Sequence, residues 1–392
     1  MTVKQRLGDI VKLTSGGTPS KKNVDYWGGD IPWISAKNMK DEFLSDSSIH
    51  ITKEGLNHGS RLAPEGSLLL LVRGSGLFND IPICYVERDV AFNQDVKCIE
   101  SIEPEKLPNK YIFYWLKSQK YALSQSVGVT TIGAGKFDTD YILNMEIPIP
   151  SIEVIEKLVT FFDALTQKIR CNTKINDNLL QQMEALYKAW FTDYIPFDGK
   201  LPSNWTKSDI YSIADIIYGA PFASKLFNTD GEGIPIIRIR DLKEQAFVTY
   251  TTENHPKGHL IQPGDIVVGM DGEFRPYIWG NAEAWLNQRV CIFDNKRPKG
   301  KAFVLFTIKP LLYRIEQTQV ATTVIHIGKK DYDAFEFFLP DEETLDRFDE
   351  ITGPMIDRIV INRLENKRLS ELRDCLLTKL MSGELDVSAI GI

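Results

Sequence analysis

From about Ser151 to Phe191, and again from about Asp341 to Gly383, apolar residues recur at helical spacing. A helix of roughly 40 residues would be ~60 Å long, far beyond the usual globular length. In the first stretch, steps of seven run through Leu158, Leu165, Asn172, Leu179 and Leu186, flanked by Phe162, Ile169, Asn176, Met183 and Trp190. In the second they run through Phe348, Met355, Asn362, Leu369 and Leu376, flanked by Thr352, Ile359, Asn366, Arg373 and Leu380. Each row thus carries an asparagine at its middle, at positions 172 and 362, 190 residues apart. Antiparallel packing of the two stripes would bring their centres together and set Asn172 near Asn362. A polar residue in such a seam lowers stability but specifies register, because slipping it against leucine leaves an amide unpaired. Leucine at both positions is therefore expected to raise thermal stability and loosen the register.

Outside these stretches the pattern is one of strands and turns. "SLLLLVRG" and "DIVVGMDG" are short apolar runs closed by glycine, as buried strands are. "AFVLFTI" and "KYIFYWLKS" share a strand-like mixture of aromatic and aliphatic residues, and the second fits a helix equally well. The pattern also repeats. "LGDIVKLTSGGTPS" is echoed by "IADIIYGAPFAS", "GDIPWISAKNMK" by "EGIPIIRIRDLK", "APEGSLLLLVRG" by "IQPGDIVVGMDG", and "AFNQDVKCI" by "WLNQRVCIF", in the same order in both halves. Pro196, Gly199 and Pro202 mark a loop at the junction. The expected fold is therefore α+β, as a tandem pseudo-twofold repeat. It has one domain at 1–150, a long helix at 151–195, a second domain at 196–340, and a second long helix with a tail at 341–392. The two helices are expected to pair as an antiparallel coiled coil.

The chain has 392 residues and a formal net charge of −7. An acidic total does not favour nucleic acid, so a DNA-binding reading must rest on local basic faces. The five cysteines are scattered and never form a CxxC pair, which fits reduced thiols better than a disulfide framework or a zinc site. No apolar run reaches ~18 residues, and none of signal-peptide length precedes Gly8, so a cytoplasmic location is expected.

Three segments resemble one family. "ENKRLSELRDCLLTKLMSGEL", Glu365 to Leu385, resembles the C-terminal helix of the specificity subunits of Type I restriction-modification enzymes. "NDNLLQQMEALYKAWF", Asn176 to Phe191, looks like their central helix, and "LTSGGTPSKKNVDYWGGDIPWIS", Leu13 to Ser35, is similar to a common opening of their first target-recognition domain. Thr378 stands where the family usually has proline, a change that helps a helix continue. The resemblance implies a noncatalytic subunit with two target-recognition domains, each reading one part of a bipartite double-stranded DNA target. It implies that the helices set the spacing and dock two methyltransferase subunits, and that motor-nuclease subunits join them. No cofactor is expected in this chain; the partner subunits are expected to use S-adenosylmethionine and ATP with magnesium. Two readers on one face of DNA would sit about 34 Å apart, one helical turn.

Candidate DNA contacts follow from donor chemistry: phosphates take Lys, Arg and hydroxyls, and base edges take Arg, Asn and Gln. "TPSKKNVDYW" offers Thr18, Ser20, Lys21 and Lys22, either as a basic loop on the duplex or as a solvated loop pinned by Trp27. Ser35 and Lys37 follow an apolar strand, and Arg238 and Arg240 occupy the echo, two apart and so on one face of a strand. Arg73 and Asp271 lie at matching strand ends, where readers of unlike sequences would differ. Arg275 in "GEFRPY", and Lys136, Lys329 and Lys330 before the long helices, are further loop candidates, the lysines for phosphate or as parts of solvated turns. Asn93–Gln94 and Asn287–Gln288 recur in both halves and read better as structural residues.

Enzyme signals fail on inspection. "TTIGAGKF" has Thr130 and Phe137 where a phosphate-binding loop needs Gly and Ser or Thr. Pro256 and Gly258 forbid a helix that would align His255 with His259. The alternatives to a recognition subunit are a coiled-coil scaffold with protein-binding domains and a stand-alone DNA-modifying enzyme.

Overall fold

The computed structural model of the chain describes residues 3–130, 133–318 and 326–387; the last residues of the expected tail, 388–392, lie outside them. Two compact units emerge, Met1–Gln167 with Ser370–Ile392, and Lys168–Leu369. The long helices span Ile152–Phe191 and Glu342–Ser382, so the units share them: each helix has one segment in either unit. Thr378 lies inside the second helix, which continues through it.

In the first unit a five-stranded sheet runs in the order Val11–Ser15, Val96–Ser101, Leu68–Leu71, Ile83–Val86, Phe43–Leu44. The four leucines of its middle strand are all buried, because helix and strands cover both sheet faces. A second sheet has the order His50–Ile51, Trp27–Ile34, Val90–Phe92, Arg61–Ala63, with Ala91 beside Trp33 in a parallel pair. The second unit repeats both sheets. Ala214–Tyr218, Val290–Asn295, Ile266–Gly269 and Pro276–Ile278 form one, and Ile234–Ile237 pairs in parallel with Ala284–Leu286 in the other.

"KYIFYWLKS" forms a helix, Asn109–Ser118, with Tyr111 to Leu116 buried. "AFVLFTI" departs from its strand-like reading. It opens the helix Lys301–Thr318, in which Ala302 to Phe306 are buried. An apolar run enclosed on all sides has no polar face, so composition alone does not separate helix from strand.

The helix seam is resolved in each unit separately. In the first, Leu158 and Phe162 share a core with Leu377, Leu380 and Met381. In the second, the two segments run antiparallel and four asparagines bond across them. Asn172 Nδ2 donates to Asn366 Oδ1 at 2.9 Å, and Asn362 Nδ2 donates to Asn176 Oδ1 at 2.8 Å. Asn366 Nδ2 reaches the carbonyl of Ile169 at 3.2 Å, and Asn176 Nδ2 that of Ile359 at 3.5 Å. A shift of 190 residues turns each bond into its mate, so the network follows the internal repeat. The expected juxtaposition of Asn172 with Asn362 is corrected by one turn. Each amide meets the flanking-row asparagine of the other helix, because two antiparallel rows interdigitate rather than collide at their centres. Asn172 also donates to Glu365 Oε2 at 2.8 Å, a bond that holds the Glu365 carboxyl below the usual range.

Candidate nucleic-acid interface

The loop at Thr18 to Trp27 is fastened from beneath. Trp27 Nε1 donates to the Ser20 carbonyl and Trp33 Nε1 to the Gly17 carbonyl, each at 3.2 Å, and the two indoles meet edge to face with centroids 5.4 Å apart. Thr18 Oγ1 donates to Gln94 Oε1 at 2.6 Å, so that hydroxyl is already engaged. Ser20, Lys21 and Lys22 are exposed, and neither lysine forms an ion pair among the described residues. Gln94's neighbour Asn93 accepts the Asp95 N–H at 3.1 Å, the turn-capping role suited to a shared residue.

The two echoing segments end in the same device. Ser35 precedes a short 3₁₀ turn, Ala36–Asn38, and its N–H and hydroxyl both donate to Asn38 Oδ1. Arg238 precedes the turn Ile239–Asp241, and its N–H donates to Asp241 Oδ2 at 3.0 Å. The strand stops at Ile237, so Arg238 and Arg240 do not share a strand face. The acid at the third turn position pulls the backbone into the cap and ends the strand early. Arg238 turns inward to Asp241 and Thr249, while Arg240 stays two-thirds exposed with a loose 3.8 Å contact to Asp241. Lys37, at the place of Arg240, is exposed.

Two further candidates are held by acids. Arg275 forms a two-point pair with Glu316, Nη2 to Oε1 at 3.1 Å, which keeps the Glu316 carboxyl below its usual range. Lys329 pairs with Asp333 at 3.0 Å and lies over the Tyr211 ring. Lys330 is exposed.

Arg73 and Lys136 come together. They are opposite each other where Arg73–Gly74 pairs antiparallel with Gly135–Lys136, and both are exposed. Like charges face to face across strands repel unless an anion answers them. Neither has an ion-pair partner among the described residues. In the second unit the matching bridge joins Asp271 to His326, with Asp271 Oδ1 and His326 Nδ1 at 2.6 Å and Arg289 alongside. His326 and Arg289 were not legible as site residues. Only the strand end at Asp271 signals the place, and His326 lies 55 residues further on.

Thiol chemistry has no foothold in the cores. Burial pushes the thiols of Cys84 and Cys291 up to about 12 and that of Cys98 to about 11, so they stay protonated near neutrality. Among the described residues no helix is long and apolar enough to cross a membrane.

The model of the Type I restriction modification DNA specificity domain matches the chain twice, over residues 2–181 and 202–373. The chain is 25% identical over 416 aligned positions to the Type I restriction enzyme MjaIX specificity subunit of Methanocaldococcus jannaschii, covering 98% of this chain and 94% of that one. It is 33% identical over 187 positions to the EcoR124I/EcoR124II specificity subunit of Escherichia coli, 46% of each. The crystal structure of a Type I restriction-modification S subunit from M. genitalium superposes with a TM-score of 0.57 at 15% identity, covering 97% of this chain and 96% of that one. The duplicated match, spanning both sheet-bearing units and most of both long helices, places this chain in the Type I restriction modification DNA specificity domain family.

Proposed function

We propose that the chain is the noncatalytic sequence-recognition subunit of a Type I restriction-modification complex, in which each half reads one part of a bipartite double-stranded DNA target. One observation carries the reading: the specificity domain occurs twice, and like frame positions hold unlike side chains. Lys37 answers Arg240, and Arg73 answers Asp271. Two copies of one scaffold with different surface donors suit two readers of different sequences. The long helices set the spacer between the half-sites and dock two methyltransferase subunits, to which motor-nuclease subunits are added. S-adenosylmethionine and ATP with magnesium belong to those partners, and the complex works in the cytoplasm. The test is co-expression with the cognate methyltransferase subunit in a methylation-free host, followed by mapping of methylated positions. A bipartite motif with a constant spacer is expected. A contiguous motif, or methylation independent of this chain, would overturn the proposal.

A further inference from the structure

The two strand junctions at Arg73 and Asp271 share one backbone frame. In the first unit, Phe137 N donates to Val72 O, and Val72 N to Asp95 O, each at 2.9 Å. In the second, Ile327 N donates to Met270 O, and Met270 N to Arg289 O, again at 2.9 Å each. Three places therefore correspond: Arg73 with Asp271, Lys136 with His326, and Asp95 with Arg289. Arginine and aspartate have exchanged places between the units, while the third place keeps a nitrogen base. A frame held this closely, with its charges inverted, is under constraint for backbone and free to vary in outward chemistry.

The side chains then decide which group reads outward. In the first junction Arg73 is exposed beside Lys136, with no ion pair among the described residues. In the second, Asp271 is less exposed than its neighbours and pairs with both, closely with His326 and more loosely with Arg289. Its Oδ1 is 2.6 Å from His326 Nδ1 and its Oδ2 is 3.7 Å from Arg289 Nε. A carboxylate so engaged has little capacity left for a base. It holds the half-exposed Arg289, whose Nη1 also lies 3.2 Å from His326 Nδ1. A planar guanidinium held in place matches the O6 and N7 acceptors of guanine in the major groove.

We propose that this junction is where each domain reads a base pair. Arg73, with Lys136 beside it, donates to guanine in one half of the target, and Arg289 does so in the other. Asp271 and His326 are positioning residues for Arg289. The inference rests on the reading of this chain as a DNA-specificity subunit. It adds that each half-site holds a G·C pair under the control of one named arginine.

The experiment uses the full chain in complex with its methyltransferase subunits and a randomised target library. Arg73→Gln should relax one G·C position in a single half-site by about five- to 150-fold, and Arg289→Gln one position in the other half. Arg73→Lys and Arg289→Lys keep the charge and lose the fork, so they should relax the same positions. Asp271→Asn should broaden the Arg289 position without abolishing methylation. Lysine variants that keep full discrimination, or glutamine variants that weaken all sequences equally, would show phosphate contacts and overturn the proposal. A wild-type motif lacking G·C in either half would overturn it as well. Failure of the wild-type complex to show any bipartite motif would instead sink the recognition reading itself.

Discussion

At the residue scale, the structure divides charges that look alike in sequence into braces and free donors. Arg238 is a brace. Its guanidinium and N–H both serve Asp241, whose side chain is only 3% exposed. Arg238→Ala leaves that carboxylate short of donors and is expected to cost ~1–3 kcal/mol, read as a lowered midpoint in thermal melting. Arg240→Ala should leave the midpoint unchanged and alter methylation of library targets in one half-site only; a changed spacer, or a shift in the other half, would contradict independent readers. Glycine acts as a further frame residue in both units. A Cβ on Gly16 would lie 2.3 Å from the Phe92 carbonyl, and one on Gly219 2.0 Å from that of Asn287, where each chain crosses the neighbouring strand. Neither backbone can yield freely, so Gly16→Ala and Gly219→Ala should each destabilise by ~1–3 kcal/mol in chemical denaturation. Equal stability of either variant would mean the strands can part.

At the scale of elements, the asparagine network alters the expectation for the seam. Leucine at Asn172 and Asn362 removes two donors and leaves Asn366 Oδ1 and Asn176 Oδ1 unanswered, the latter on a residue only 5% exposed. Each orphaned acceptor costs ~1–3 kcal/mol, so the double substitution is now expected to lower the melting midpoint, not raise it. Replacing all four asparagines by leucine removes donors and acceptors together. That variant should be more stable than the double, and its register should slip. Paired cysteines placed in register and one turn out of register would report it: the shifted cross-link should form in the quadruple variant and not in the parent chain. A single cross-link in both would show that register is set elsewhere.

For the whole molecule, charge is the governing quantity. A net charge of −7 opposes a polyanion, and several of the candidate cations are already paired within the chain. The remaining donors, among them Lys21, Lys22, Lys37, Arg73, Lys136, Arg240 and Lys330, are few for tight binding. Each neutralised phosphate contributes about 0.9 to the slope of log affinity against log salt. The isolated chain should therefore bind its target weakly and with a shallower slope than the complex with methyltransferase subunits, measured by fluorescence anisotropy across a salt series. Equal slopes would mean that this chain carries all the phosphate contacts.

What the sequence alone determined is whatever backbone periodicity dictates. The bounds of both long helices, the buried leucine strand and the polar interruption of the seam are local patterns, each carried by residues within a few turns of one another, and the internal repeat is such a set of patterns written twice. What only the tertiary structure decided is partnership. Nothing near Arg238 in the chain announces that its guanidinium will reach Thr249, 11 residues away, nor that Glu316, 41 residues away, will hold Arg275. Lys136 meets Arg73, and His326 meets Asp271, only because distant strands pair. Periodicity follows from the dihedral geometry each residue carries with it, whereas the answer to a charge depends on which distant segment the fold lays beside it.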